Sequence, residues 1–518
     1  MKSNLGSADN SITKTKRIAS NTAILFVRML AITVINLYAV RWVLHGLGIV
    51  DYGIFNAIAG IVTTSTCFSS VLALSTQRYF SYAIGQGYHD ELQNIFAVSL
   101  NMVIILSAII IITFEIIGLW YINTHMPMPE GRLDIARYVF HISLLTIIIS
   151  FIQIPYMGAV FSHEHMGVYA LVSTTDCVLK FILAYLISLS PTDHLLFYSA
   201  GLLLVSLITT AMYMGIAIHR YPECRYKMVK DKHLYLHLFS FSGWTFYGTL
   251  SGVGMIQGSI ILLNAFFGPI VNAAFGVANQ LYNALTTLGN SIVLAFRPAM
   301  IKAYSGNNHL YLEDLFNFSN KFILYLLLVV VVPFLFETKY ILGLWLGHDN
   351  TTANMVFFSQ LFVVHCVCLS LHNPITTIMQ AIGTIKYYYL CVESLTILCV
   401  PISWLLFRFG LPAYWIFYTL IVICVLAHLL RIIILKKYYS RFNVTQYLTG
   451  FLLPATGITI IASFVIGKIH GLLPETFGSM ILVFVSSIVS FSALIIVIGL
   501  NRKERLVLVQ FIKNNILN

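Results

Sequence analysis

The sequence predicts an all-α polytopic membrane protein with about fourteen spanning helices. Three observations lead there. Of 518 residues, 58% are hydrophobic and only 9% charged, against roughly 25% charged in soluble domains. The apolar runs are long enough for a helix to cross the hydrocarbon core, which takes ~20 residues. The alternation over ~10-residue segments that marks a membrane barrel is absent.

Taken in order, the expected helices are α1 18–44, α2 52–76, α3 93–122, α4 135–160, α5 166–189, α6 194–218, α7 236–266, α8 272–300, α9 316–346, α10 353–380, α11 385–408, α12 411–435, α13 446–467 and α14 477–500. Residues 1–17 form a polar tail whose Lys14, Lys16 and Arg17 adjoin α1, which places the N-terminus in the cytoplasm. No cleavage-type segment follows, so α1 is expected to act as an uncleaved insertion signal. With this orientation the basic loops fall on one side. The 219–235 loop has Arg220, Arg225, Lys227, Lys230 and Lys232; the 436–445 loop has Lys436, Lys437 and Arg441; the 501–518 tail has Arg502, Lys503, Arg505 and Lys513. Outside loops offer only Arg132, Lys468 and Arg408. Both termini are therefore expected in the cytoplasm. The tail from Arg502 to Asn515 reads equally as a surface amphipathic helix or a frayed end.

The 219–235 loop divides the chain into an N-lobe of α1–α6 (18–218) and a C-lobe of α7–α12 (236–435), with α13 and α14 (446–500) beyond them. An internal repeat supports that division. Asp51 and Gly85 are spaced as Asn272 and Gly306 are; Ile117-Gly118-Leu119-Trp120 matches Leu342-Gly343-Leu344-Trp345; Pro155 matches Pro374. Six helices per half imply two parallel six-helix bundles related by an axis along the membrane normal.

Composition also excludes function classes. A net charge of +11 would suggest nucleic acid in a soluble protein, but no polar domain exists to carry such a patch, and basic cytoplasmic loops account for it. The eight cysteines form no CxxC and no metal-spaced set, and read as packing residues. His163-Glu164-His165 lacks the HExxH spacing, Gly252-Val253-Gly254 opens no βαβ unit, and no Walker sequence occurs. The chain is read as not an enzyme.

The chemistry lies in polar groups inside the spans. A cation at a helix centre costs ~2.5–3.5 kcal/mol on insertion scales, so it is kept where it lines a pathway or meets an acid. Arg28, Arg78, Lys180, Arg297 and Lys302 are the candidate cations, expected to converge on a positive cavity. Arg41, Arg78 and Lys302 lie near helix ends and can also snorkel. Lys180 follows Asp176 at i, i+4, which suits a structural bridge and a functional site alike. Asp176 and Glu393 are the candidates for ion coupling; Glu393 has no partner nearby in sequence. Glu337 neighbours Lys339 and is expected toward the outer boundary. His141, His365 and His372 could titrate, though a lone histidine in a span usually packs.

The stretch from Phe239 to Tyr304 ties these together. Two apolar runs meet at Gly268-Pro269 and carry Gln257, Asn264, Asn279 and Gln280, with Gly248, Gly252, Gly254 and Gly258 as a ridge for close helix approach. Its pieces Phe241-Ser242-Gly243-Trp244, Gln257-Gly258, Asn264-Ala265-Phe266-Phe267-Gly268-Pro269, Asn272-Ala273-Ala274 and Arg297-Pro298 resemble the second half of a MATE-like flippase. With Asn21-Thr22, Arg28, Arg41, Asp51-Tyr52-Gly53 and Gln77-Arg78-Tyr79 in the first half, the chain most resembles the polysaccharide-transporter (Wzx-type) branch of the MOP superfamily, over nearly its whole length.

The resemblance implies a 6+6+2 helix plan and a flippase for undecaprenyl-diphosphate-linked oligosaccharide, serving O-antigen, capsule or exopolysaccharide synthesis in a bacterial inner membrane. It implies alternating access, with the two halves rocking about a central cavity. The cations suit the diphosphate, and Asn36, Gln257, Asn264, Asn279 and Gln280 suit the glycan. Expected partners are the lipid-linked oligosaccharide and membrane lipids, with a polysaccharide polymerase as a further candidate. No cofactor is expected beyond H+ or Na+ as a coupling ion. The alternative is a MATE-type cation-coupled multidrug antiporter. That branch commonly places acids in α1, α7 or α10, and this chain has no Asp or Glu in those spans. A lipid II-type flippase would use similar cations.

Overall fold

Hydrocarbon offers no partner to a backbone N–H or C=O, so a chain this apolar must satisfy itself as helix. The computed structural model describes residues 65–124, 131–347 and 351–500, separate residues between 28 and 58, and Arg505. Asn36, Asn21, Arg41, the 1–17 tail and most of the tail from Arg502 lie outside the described residues.

Among the described residues every regular element is helical. Those of α1, from Arg28 to Leu47, are helix, and α2 contains Thr66–Gln86. Twelve further helices are long and apolar enough to cross a membrane, and they match the expected α3–α14 one for one. They are α3 His89–Thr124, α4 Leu133–Ser162, α5 Met166–Leu189, α6 His194–Arg220, α7 Lys232–Gly268 and α8 Ile270–Ser305. Then come α9 His309–Leu346, α10 Ala353–Ile382, α11 Lys386–Arg408, α12 Trp415–Tyr438, α13 Val444–Leu472 and α14 Phe477–Gly499. The protein is a multi-span membrane protein. The expected end of α2 at 76 is corrected to Gln86. Ser75, Thr76, Gln77 and Arg78 look like a polar boundary but are all buried. Ser242 donates to the Ser75 hydroxyl (2.9 Å), and Ser162 to the Gln77 backbone carbonyl (3.1 Å), tying this stretch into the interior.

Three spans are broken, each at a proline. A proline lacks the N–H for the carbonyl four residues back, and its ring clashes with it. Accordingly α4 divides into Leu133–Ile152 and Ile154–Ser162 around Pro155. α10 divides into Ala353–Ser370 and Asn373–Ile382 around Pro374. α11 divides into Lys386–Ile397 and Cys399–Arg408, just before Pro401. In α9 the helix runs on through Pro333. The freed carbonyl of Val329 is taken by Ser487 Oγ of α14 at 2.9 Å.

α7 meets α8 at Gly268, whose φ of 79° and ψ of −179° fall in a region essentially restricted to glycine. A Cβ there would meet nothing within 4 Å, so the constraint is purely one of backbone. Gly268→Ala is expected to cost about 1–3 kcal/mol, read as a lower midpoint in thermal unfolding of the detergent-purified chain.

The chain forms two compact units. Unit 1 is Met1–Thr249 with Leu294–Asn308; unit 2 is Leu250–Val293 with His309–Asn518. Within unit 1, α4 and α5 pack along α6, and α2 along the second half of α4. Within unit 2, α10 and α11 pack along α12. Fourth and fifth helices thus lean on the sixth in each half, as a repeat requires. Phe80, Phe96 and Val160 belong to a core of unit 1, and Phe275, Phe362 and Phe417 to one of unit 2. α13 and α14 pack along α9, where Glu337 is buried and paired with His470 at 2.8 Å. Lys339, its neighbour in sequence, lies 4.0 Å from Glu475. Of the glycine ridge on α7, Gly258 is the tight point: a Cβ would come 2.7 Å from Val400 of α11.

Candidate functional site

The charges at membrane depth in unit 1 sit where α1 meets α5. Arg28 donates from Nε to Ser173 Oγ, and its guanidinium lies 4.4 Å from the centre of the Tyr169 ring. One turn further, the Cys177 sulfur is 4.0 Å from the Ile32 carbonyl. Both helices advance four residues between the two contacts, so they run parallel, as two odd-numbered spans must. Tyr169, Ser173, Asp176, Cys177 and Lys180 form one stripe on α5. Lys180 Nζ bonds Asp176 Oδ2 at 2.7 Å. Asp176 is ten residues past Met166, about 15 Å along the axis, hence deep within a core ~30 Å thick. Tyr213 of α6, itself buried, is in electrostatic range of both Arg28 and Asp176. Two cations and one carboxylate thus lie along this stripe, the carboxylate bonded to Lys180.

A second group gathers at the end of unit 1 that carries the basic 219–235 loop. Lys302 of α8 bonds Glu164 at 2.8 Å. Arg78 is buried against Tyr79, Phe241 and Tyr82, with ring centres 4.6, 5.0 and 5.2 Å away. Arg297 lies half-buried on α8, a little over a turn before Lys302. The five candidate cations are thus not one cluster: Arg28 and Lys180 lie together, while Arg78 and Lys302 belong to this end.

The ends of α2 and α8 touch at glycine. A Cβ on Gly85 would lie 1.9 Å from Ser305 Oγ and 2.6 Å from the Lys302 carbonyl, and one on Gly306 2.8 Å from the Gly85 carbonyl. These are the two glycines paired by the sequence repeat. Gly85→Val is expected to force the helix ends apart, costing about 1–3 kcal/mol by overpacking, seen as a lower unfolding midpoint.

Beside this contact the His163-Glu164-His165 loop ties down the end of α6. His163 bonds Glu223 at 2.7 Å and stacks on Tyr221 at 4.4 Å; His165 Nδ1 meets the Tyr221 hydroxyl. Burial raises the Glu223 carboxyl, but the His163 bond and a backbone amide outweigh it and hold it below its ordinary 4.5. Its stabilisation is therefore complete above that pH and lost only as acid passes through the lower folded value.

In unit 2, Gln257, Asn264 and Gln280 are exposed, and Asn279 is half-buried. Glu393 finds the partner that its own neighbourhood lacks: Arg431 of α12, at 3.2 Å. Arg431 also donates to Tyr388 Oη at 3.1 Å, which shares a 2.6 Å bond with Thr376. Sequence reasoning missed Arg431, although its signal was present: a cation about one turn inside the end of an apolar run. His365 is buried against the Tyr282 ring, and His428 bonds Tyr447 at 3.3 Å. At the other end of unit 1, Arg132 bridges Asp51 at 2.9 Å and also bonds Asp193, which caps α6. This gives Asp51 an anchoring role.

No protein-family model matches the sequence, and no curated protein matches it. Solved structures do. One is a multidrug-resistance MATE transporter of the MOP superfamily in an outward-facing conformation, with a TM-score of 0.70 at 15% identity over 82% of this chain and 97% of that one. Another is a Vibrio cholerae MATE transporter, with a TM-score of 0.65 at 14% identity over 84% and 99%. A third is a MOP-superfamily transporter from Pyrococcus furiosus described as having a binding pocket of reversed polarity, with a TM-score of 0.67 at 16% identity over 82% and 96%. The chain therefore has the fold of the MATE transporters of the MOP superfamily.

Proposed function

We propose that this protein is a flippase for a lipid-linked oligosaccharide with a diphosphate headgroup, of the undecaprenyl type used for surface polysaccharide, working by alternating access. One observation carries the reading: the acids inside the spans already have side-chain partners. A transporter of organic cations needs a carboxylate in hydrocarbon that no protein cation satisfies. Among the described residues, Asp176 is paired with Lys180 and Glu393 with Arg431, while Glu115 and Glu337 are hydrogen-bonded to the rings of His141 and His470. Arg28, by contrast, is held by a hydroxyl and a ring. A permanent cation thus stands at membrane depth beside Lys180, and a planar guanidinium suits a phosphate's paired oxygens. The reversed pocket polarity of the Pyrococcus furiosus protein supports the view that this fold accepts ligands of different charge. The competing reading, multidrug antiport, draws on fold likeness alone.

The test is deletion of the gene in its host followed by lipid extraction. The expected result is accumulation of lipid-linked repeat units on the cytoplasmic leaflet and loss of surface glycan. Unchanged surface glycan with new sensitivity to cationic dyes would favour the antiporter.

A further inference from the structure

We infer that Asp176 is a selectivity residue: a resident carboxylate that occupies Lys180 until a headgroup of higher charge displaces it. The inference rests on the diphosphate reading above and concerns the same site. The Asp176–Lys180 pair is open to a ligand, with the lysine side chain 47% and the aspartate 31% exposed. It lies on the stripe that Arg28 meets at Ser173, so one headgroup can reach both cations.

The chemistry explains why a carboxylate belongs there. A bilayer holds anionic phospholipids in bulk, and two bare cations at membrane depth would fill with them. Asp176 offsets one of the two charges and competes from the same helix, at the high effective concentration of any tethered ligand. Its hold is light, since an exposed i, i+4 ion pair is worth only a factor of about two. A singly charged phosphodiester meets one surplus positive charge and gains little by displacing Asp176. A diphosphate carries more charge and more oxygens, and can engage Arg28 and Lys180 together once the carboxylate swings away. Specificity of this kind is built by a repulsive element against the wrong ligand.

The test uses the full-length chain purified in detergent, with farnesyl diphosphate and dioctanoyl phosphatidylglycerol as probes in competition binding. Wild type is expected to prefer the diphosphate. Asp176→Asn should tighten both, the phosphatidylglycerol more, so that the preference falls about twofold; Asp176→Glu should restore it. A preference unchanged in Asp176→Asn overturns the inference and leaves the flippase reading intact. If wild type and a normally melting Asp176→Asn bind neither probe, the diphosphate reading fails and the inference with it. Should Asp176→Asn not fold, Lys180→Gln decides: it removes the seat, and wild-type discrimination in that variant also overturns the proposal.

Discussion

Arg28→Ala is expected to abolish surface glycan while the protein stays in the membrane at its normal level. The fold should tolerate the change. Ser173 keeps its hydrogen bond to the Tyr169 carbonyl, at 2.7 Å, so no buried hydroxyl is left without a partner. The site should not tolerate it. A hydrogen bond to a charged group contributes about 1.5–3 kcal/mol, and a guanidinium can make two to one phosphate. Losing both predicts at least about a 100-fold fall in transport, at 1.4 kcal/mol per factor of ten. Arg28→Lys keeps the charge without the fork and should be intermediate. Arg297→Ala acts in the same direction from α8. Membrane abundance by immunoblot and surface glycan by gel report the two halves of the prediction. Normal glycan in both alanine variants would remove the anionic-ligand reading.

How much of this could be read from sequence depends on whether the deciding partner is local. Spans α3–α14 could, because length and apolarity within one run suffice to make a helix in hydrocarbon. The breaks of α4 and α10 could as well, since Pro155 and Pro374 act on carbonyls four residues away. The Gly268 joint was legible for the same reason. The end of α2 was not, because whether Ser75–Arg78 stop a helix depends on Ser162 and Ser242, which are distant in sequence. The Asp176–Lys180 pair followed from helical spacing alone. Its neighbour Arg28 could be named as a candidate, but its seat against Ser173, 145 residues away, could not. Likewise the 38 residues between Glu393 and Arg431 hid the pair that decides what Glu393 does.

That pair gives the second large expected effect. Glu393→Ala should destabilise the protein by about 3–5 kcal/mol, because it leaves a buried charge uncompensated. The Arg431 side chain is 4% exposed and that of Glu393 14%, so water cannot replace the carboxylate. Tyr388 holds one edge of the guanidinium but brings no negative charge. Replacing both partners by apolar residues, Glu393→Leu with Arg431→Met, removes the orphaned charge and should recover most of the stability. The comparison also separates two roles. If the pair is purely structural, the double variant both melts and transports like wild type. If Glu393 is the ion-coupling group considered from the sequence, the double variant melts normally but loses any dependence of transport on a proton or sodium gradient. Unfolding midpoints of the three purified chains, and glycan transport with and without each gradient, distinguish these outcomes. A Glu393→Ala protein as stable as wild type would mean that Arg431 had found another anion.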